Sequence, residues 1–235
     1  MCFYYFSLIN KYLTLSIKLF SKDIFYKITK LSIGHTADII SSLVKHSLVI
    51  FIIGMFLDPY LIGYIVTVKT LFYFFPARFF GKINHISLYE FASLYAQKKY
   101  SVIKQNIKKI NIAIFILLIL FVSISLTIGP MIYNFWTNNN YNLDLIFLSI
   151  ILFDSFFYIF RQSLITFFMS INRYIFLGTS NLIITCLATF IFYILLLNQY
   201  SYNLGFFVIL IGSFVSLVIS LVFFWYCFKK LKMNK

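Results

Sequence analysis

The segment 174–228 contains no charged residue, and this feature limits the possible folds of the chain more than any other. A transmembrane helix needs about 20 mostly apolar residues, so the segment is too long for one such helix and long enough for two. Its polar interruption, NQYSYN at 198–203, predicts a turn. We therefore expect two membrane-spanning helices, over 175–197 and 204–228.

Four earlier segments have the same apolar character, and proline helps to set their limits because it lacks the backbone donor that a helix needs. Asp58-Pro59 follows the first segment and Gly129-Pro130 follows the third. The chain is 62% hydrophobic and 11% charged, whereas about a quarter of the residues of a soluble domain are charged. We therefore predict an all-α polytopic membrane protein, a bundle of about six transmembrane helices within 36–228. The four earlier spans are expected at 36–57, 61–80, 110–128 and 143–169.

Every lysine and arginine outside these six spans falls on one side of the membrane. The loops on the other side contain neither residue; they are 58–60, 129–142 and 198–203. Basic loops stay preferentially in the cytoplasm, so both termini are predicted to be cytoplasmic. The net charge of +14 is then explained by this topology and by attraction to anionic membrane lipid, and no nucleic-acid partner is expected.

Three segments on the basic side lie outside the predicted spans. In 1–35, Lys11, Lys18 and Lys22 share one helical face, which favours an amphipathic helix over 7–22 in the membrane interface. A further transmembrane helix with a polar stripe is the alternative. The segment 81–109 predicts a surface helix that leads into the third span. The segment 229–235 is a short basic tail.

The candidate functional residues are charged side chains inside the spans, because such residues are costly in lipid and usually face a bundle interior, a partner or a cavity. Three lie at mid-span, Lys45, Lys69 and Asp154, and for these a functional role is preferred to a structural ion pair. Arg161 lies seven residues after Asp154, on the same helical face, so the two could share a charge network. Asp38 and Arg78 lie near the cytoplasmic ends of their spans, and a role in the site is not favoured for them.

The excess of bases over acids among these residues would attract an anionic group such as a phosphate. Neither a catalytic motif nor a carboxylate pair in a loop is found, so we do not expect an enzyme. The three cysteines and three histidines are scattered, so neither a metal nor another cofactor is expected.

Two stretches resemble a known transporter family. In HSLVIFIIGMFLDPYLIGYIVTVKTLFYFF at 46–75, the arrangement of Gly54, Asp58, Gly63 and Tyr64 is similar to that in the seventh and eighth helices of polysaccharide (O-antigen) flippases. GPMIYNFWTNNNYN at 129–142 resembles the outer loop after the ninth helix of that family. The flippases belong to the multidrug/oligosaccharidyl-lipid/polysaccharide exporter (MATE-like) superfamily, and the resemblance covers about 25–230.

The resemblance implies one six-helix lobe, the C-terminal one, of a two-lobe flippase in the bacterial inner membrane. Such a protein moves a lipid-diphosphate-linked oligosaccharide across the bilayer by alternating access, for O-antigen or other surface polysaccharide assembly. Lys45, Lys69 and Arg161 would attract the diphosphate, and Asp154 would set their charge state or couple a cation. The missing lobe implies a truncated or split gene product, or a partner lobe supplied by another chain or a second copy.

Two other functions remain open at this stage. An exporter of small molecules or cations in the same superfamily would need a cavity dominated by carboxylates. A membrane subunit that transports nothing would need no charges inside its spans.

Overall fold

The computed structural model describes residues 21–171 and 173–230, and the regular structure in this part of the chain is helical throughout. Helix α1 consists of Lys22–Leu43, a π-helical turn Val44–Leu48, and Val49–Phe56. Helix α2 consists of Pro59–Lys69, a π-helical turn Thr70–Phe74, and Phe75–Ala96. The remaining helices are α3 (Tyr100–Thr127), α4 (Gly129–Trp136), α5 (Leu145–Ser170), α6 (Ile175–Leu197) and α7 (Tyr202–Lys230).

Six of these helices, all except the short α4, are long and apolar enough to cross a membrane. They also leave large apolar side chains such as Phe51, Phe190 and Val222 exposed along their length, as lipid-facing surfaces require. The prediction of an all-α, multi-pass membrane protein with six spans is confirmed.

Helix α5 lies at the centre of the bundle. It packs against α2, α3 and α7. Half of the residues in its most apolar stretch are buried, a larger share than in any of the other five spans described. Helix α1 packs mainly against α6, and α6 in turn packs against α7. Because α5 is enclosed on several sides, its two charged residues, Asp154 and Arg161, lie in the interior of the protein.

The turns divide the bundle into two ends. We call the end that contains the turn 97–99 and Arg173 the basic end, and the end that contains the segments 57–58, 128–144 and 198–201 the opposite end. The segment 81–109, predicted as a surface helix that leads into the third span, is divided between two helices. Helix α2 continues to Ala96 and α3 begins at Tyr100 and leads into the third span, because both extensions bury apolar side chains, such as Phe91 and Ile103, in a core beneath the turn.

Two other predicted boundaries differ from the structure. Helix α1 begins at Lys22 and passes through residue 35 without a break, so the first span continues a longer helix. The predicted interfacial helix over 7–22 lies almost entirely outside the described residues. The predicted loop 129–142 contains α4, in which Gly129 and Tyr133 are buried and Met131 and Phe135 are exposed.

Two glycines bring α1 and α6 into close contact. A Cβ atom built on Gly34 would lie 2.7 Å from the Cα of Ile175, and one on Gly178 would overlap the carbonyl oxygen of Gly34. Small residues that let two backbones approach closely are a common packing device between membrane helices. Because of this contact, the half of α1 nearest the basic end packs against α6. That half of α1 therefore lies apart from α2.

Candidate functional site

Both π-helical turns lie at intramembrane lysines. Val44–Leu48 contains Lys45, and Thr70–Phe74 follows Lys69 directly. A π-helical turn contains about one residue more than an α-helical turn, so it changes the direction in which the neighbouring side chains point. Such turns are frequent at functional sites. No residue pattern in the sequence indicated either turn.

Lys45 forms an ion pair with Asp154. Its ammonium lies 2.8 Å from the Asp154 carboxylate and 2.8 Å from the hydroxyl of Ser213, which itself donates to the carboxylate at 2.6 Å. The ammonium also lies 5.1 Å and 5.3 Å from the ring centroids of Tyr73 and Tyr158. Lys45 and Asp154 are 6% and 4% exposed, so this is a buried pair that joins α1, α5 and α7.

Arg161 forms a second ion pair, and its partner is Asp38, at 3.2 Å. The Asp38 carboxylate also accepts hydrogen bonds from the amides of Gln162 and Asn181, and Arg161 donates to the carbonyl of Leu177. The sequence did not favour a role in the site for Asp38, and the structure places its carboxylate in this second ion pair. Asp154 and Arg161 are not bonded to each other, because each faces a partner on α1.

Uncharged polar side chains extend the second ion pair. Asn181 donates to Ser41 and accepts from Ser216, and Ser41 is bonded to Thr185, with distances of 2.7–2.8 Å. These hydrogen bonds and the Asp38–Arg161 pair form one polar network between α1, α5, α6 and α7. A void of about 20 Å³, which is space for about one water molecule, lies between this network and the side chains of Lys45 and Ser213. Sequence reasoning missed these uncharged residues, although Asn181, Ser213 and Ser216 stand out as polar residues in apolar spans.

Lys69 has a different environment. It is 3% exposed, yet within the described residues its ammonium forms neither an ion pair nor a hydrogen bond. Its nearest recorded partners are aromatic rings, Phe206 at 5.6 Å and Phe74 at 6.0 Å from the ring centroids. The charges of Asp154 and Lys45 both act on it, and Asp154 already has Lys45 as its direct partner.

The structure thus brings the four candidate residues, Lys45, Lys69, Asp154 and Arg161, into one interior region together with Asp38. Among the described residues of this region, two carboxylates face three bases, and Lys69 carries the positive charge that no carboxylate pairs with. All three bases, Lys45, Lys69 and Arg161, are buried within this bundle and do not face lipid. Arg78, at the other extreme, is exposed and lies outside the network. The arrangement can hold four helices together and can attract one anionic group to Lys69.

Within residues 21–171 and 173–230, no group of three His, Cys, Asp or Glu side chains lies close enough to hold a metal ion. Comparison of the chain with protein-family models, with curated proteins and with solved structures gave no match.

Proposed function

We propose that this protein transports an anionic lipid-linked solute, a lipid-diphosphate-linked oligosaccharide, across the bacterial inner membrane for the assembly of a surface polysaccharide. It acts as one six-helix lobe together with a second lobe, which is either another chain or a second copy. The proposal combines the resemblance in 46–75 and 129–142 with the charge balance of the interior. Its main support is Lys69, a buried residue whose ammonium has no ionic partner within the described residues.

Lys69 is the main support because burying a charged side chain in a membrane costs free energy. A lysine at the centre of a membrane helix costs about 2.5–3.5 kcal/mol on insertion scales. Lys45 offsets that cost through its contact with Asp154, whereas Lys69 has two aromatic rings and, within the described residues, no ionic partner. A phosphate oxygen that reached Lys69 would form a charge-assisted hydrogen bond in a setting of low dielectric constant, where such bonds are strong. Lys69 is therefore the residue to which we assign contact with the diphosphate.

The two ion pairs weigh against the alternative of a cation exporter. Such a protein needs a carboxylate that is free to receive a cation. Here Asp154 is occupied by Lys45 and Asp38 by Arg161. The ion pairs alone would also be compatible with a membrane subunit that transports nothing. Lys69 is therefore the residue that distinguishes a transporter from such a subunit.

The test is surface polysaccharide export in bacteria that lack their own oligosaccharide flippase and produce this chain, with and without a second six-helix lobe. We expect wild-type protein to restore export in at least one of the two cases. Lys69→Met should reduce export by roughly tenfold or more, because a charge-assisted hydrogen bond contributes about 1.5–3 kcal/mol. Membrane insertion should be unchanged.

The matched control is Lys99→Met, which removes the same charge from the exposed turn at the basic end. Full export by Lys69→Met would remove Lys69 from the mechanism. If wild-type protein is inserted in the membrane but does not restore export, either alone or with the second lobe, the result would favour a membrane subunit that transports nothing.

A further inference from the structure

A cleft of about 360 Å³ lies between α1 and α2 in the half of the bundle toward the basic end, with α5 as its back wall. We call it the α1–α2 cleft. It exists because Lys22–Leu43 packs against α6 and Phe75–Ala96 packs against α5, so these two pieces are not among the closely packed pairs. Gly81 leaves it open on the α2 side, since a Cβ atom there would meet no atom within 4 Å.

The walls of the cleft combine apolar and polar side chains. Toward the middle of the bundle they include Leu43 and Ala77, with Ser42 beside them. Toward the basic end they include His35, Asn84 and His85, together with the apolar Leu88 and Met169. A phospholipid likewise combines apolar acyl chains, toward the middle of the membrane, with a polar headgroup toward the surface. The volume lies within the range of small-molecule binding sites, about 300–1,000 Å³.

The charges at the cleft favour an anion. Arg78 and Lys82 are exposed and stand within one helical turn of Gly81 on α2. In the described part of the chain, neither forms an ion pair. The carboxylate on the cleft wall, Asp38, is already neutralised by Arg161. These two side chains stand beside the cleft and are not part of its wall, and within the described residues their positive charge has no ionic partner.

A buried polar atom adds a second, independent requirement. The side-chain oxygen of Asn84, a residue of the cleft wall, is buried and accepts no hydrogen bond from any described residue. A buried acceptor without a donor costs about 1–3 kcal/mol, so a ligand with a hydroxyl group would relieve that cost. A phosphate that carries a hydroxylated headgroup meets both requirements, the anion beside the cleft and the donor at Asn84.

We infer that the α1–α2 cleft binds one phospholipid with an anionic, hydroxyl-bearing headgroup, of the phosphatidylglycerol type, from the leaflet at the basic end. The phosphate lies near Arg78 and Lys82, the headgroup hydroxyl donates to Asn84, and part of an acyl chain lies along Leu43. This lipid is a resident ligand distinct from the solute that we assign to Lys69. The inference does not depend on transport.

The test is native mass spectrometry of the purified full chain with added phosphatidylglycerol, phosphatidylcholine or polyprenyl phosphate. Wild-type protein should retain one phosphatidylglycerol in preference to the other two lipids. Gly81→Leu places a side chain in the open space of the cleft, and we expect it to weaken this binding by at least about tenfold, as should Arg78→Gln.

Two control variants match these changes. Gly54→Leu adds the same side chain at an exposed glycine of α1 outside the cleft, and Lys99→Gln removes a charge at the turn. Both should bind phosphatidylglycerol like the wild type. Unaltered thermal unfolding of Gly81→Leu and Arg78→Gln would show that loss of lipid is not loss of fold. If either variant unfolds, Asn84→Leu provides the same test through the headgroup hydroxyl.

Three results would overturn the inference. Equal retention of phosphatidylcholine would show ordinary surface lipid. Undiminished binding by folded Gly81→Leu would place the lipid elsewhere. Preference for polyprenyl phosphate would assign the cleft to the lipid carrier of the transported solute.

Discussion

At the residue scale, replacing each of the two buried lysines by methionine should affect the stability of the protein differently. Lys45→Met removes the partner of Asp154 and leaves a buried carboxylate with only Ser213, which should lower the free energy of unfolding by about 3–5 kcal/mol. Lys69→Met removes a charge without an ionic partner, so stability should stay the same or rise. Denaturant unfolding in detergent micelles measures both values, and equal losses for the two variants would contradict the pairing described here.

The ion pair itself is tested by combining two changes. Lys45→Met with Asp154→Leu replaces both charges by apolar groups, and this double variant should recover most of the stability that either single variant loses. The measurement is a double-mutant cycle under the same unfolding conditions. Additive losses would show that Lys45 and Asp154 do not interact.

The identity of the buried charges could be predicted from the sequence, because a charge within an apolar run stands out without any structure. Their pairing could not. Asp154 and Arg161 share a helical face in the sequence, yet Lys45 and Asp38 reach them from α1. That choice depends on where the packing of α1 against α6 places α1 relative to α5, which helical spacing does not contain.

At the scale of elements, the contact between α1 and α6 depends on the absence of two side chains. Gly178→Ala should lower the free energy of unfolding by about 1–3 kcal/mol, because its Cβ would overlap the backbone at Gly34. Gly81→Ala is the matched control, since it adds the same atom in open space and should stabilise the helix by about 0.5–1 kcal/mol. Thermal unfolding measures both changes in stability. Unchanged stability of Gly178→Ala would show that the backbones of α1 and α6 lie farther apart than described here.

Helix positions were predictable because apolar runs and proline breaks mark them, and this is why the six spans are found where the sequence places them. Helix ends were less predictable. The continuation of α2 to Ala96 and the presence of α4 depend on buried residues such as Phe91 and Tyr133, whose burial depends on contacts with distant helices. The two π-helical turns have no composition that distinguishes them from the flanking helix.

At the scale of the whole molecule, the distribution of lysine and arginine predicts that the basic end faces the cytoplasm. Alkaline phosphatase fused after Asn139 or Gln199, at the opposite end, should be active. The same enzyme fused after Lys99 or after Lys232 should be inactive. An active fusion at Lys99 would invert the topology or change the number of spans.

Translocation in proteoliposomes tests the central claim most directly. The purified chain, alone and with a second six-helix lobe, is reconstituted with a fluorescent lipid-diphosphate-linked oligosaccharide, and the rate at which the label crosses the bilayer is measured. We expect wild-type and Lys99→Met protein to accelerate crossing and Lys69→Met protein to be at least about tenfold slower. Equal rates for wild-type and Lys69→Met protein, or no acceleration by the wild type in either setting, would contradict the account.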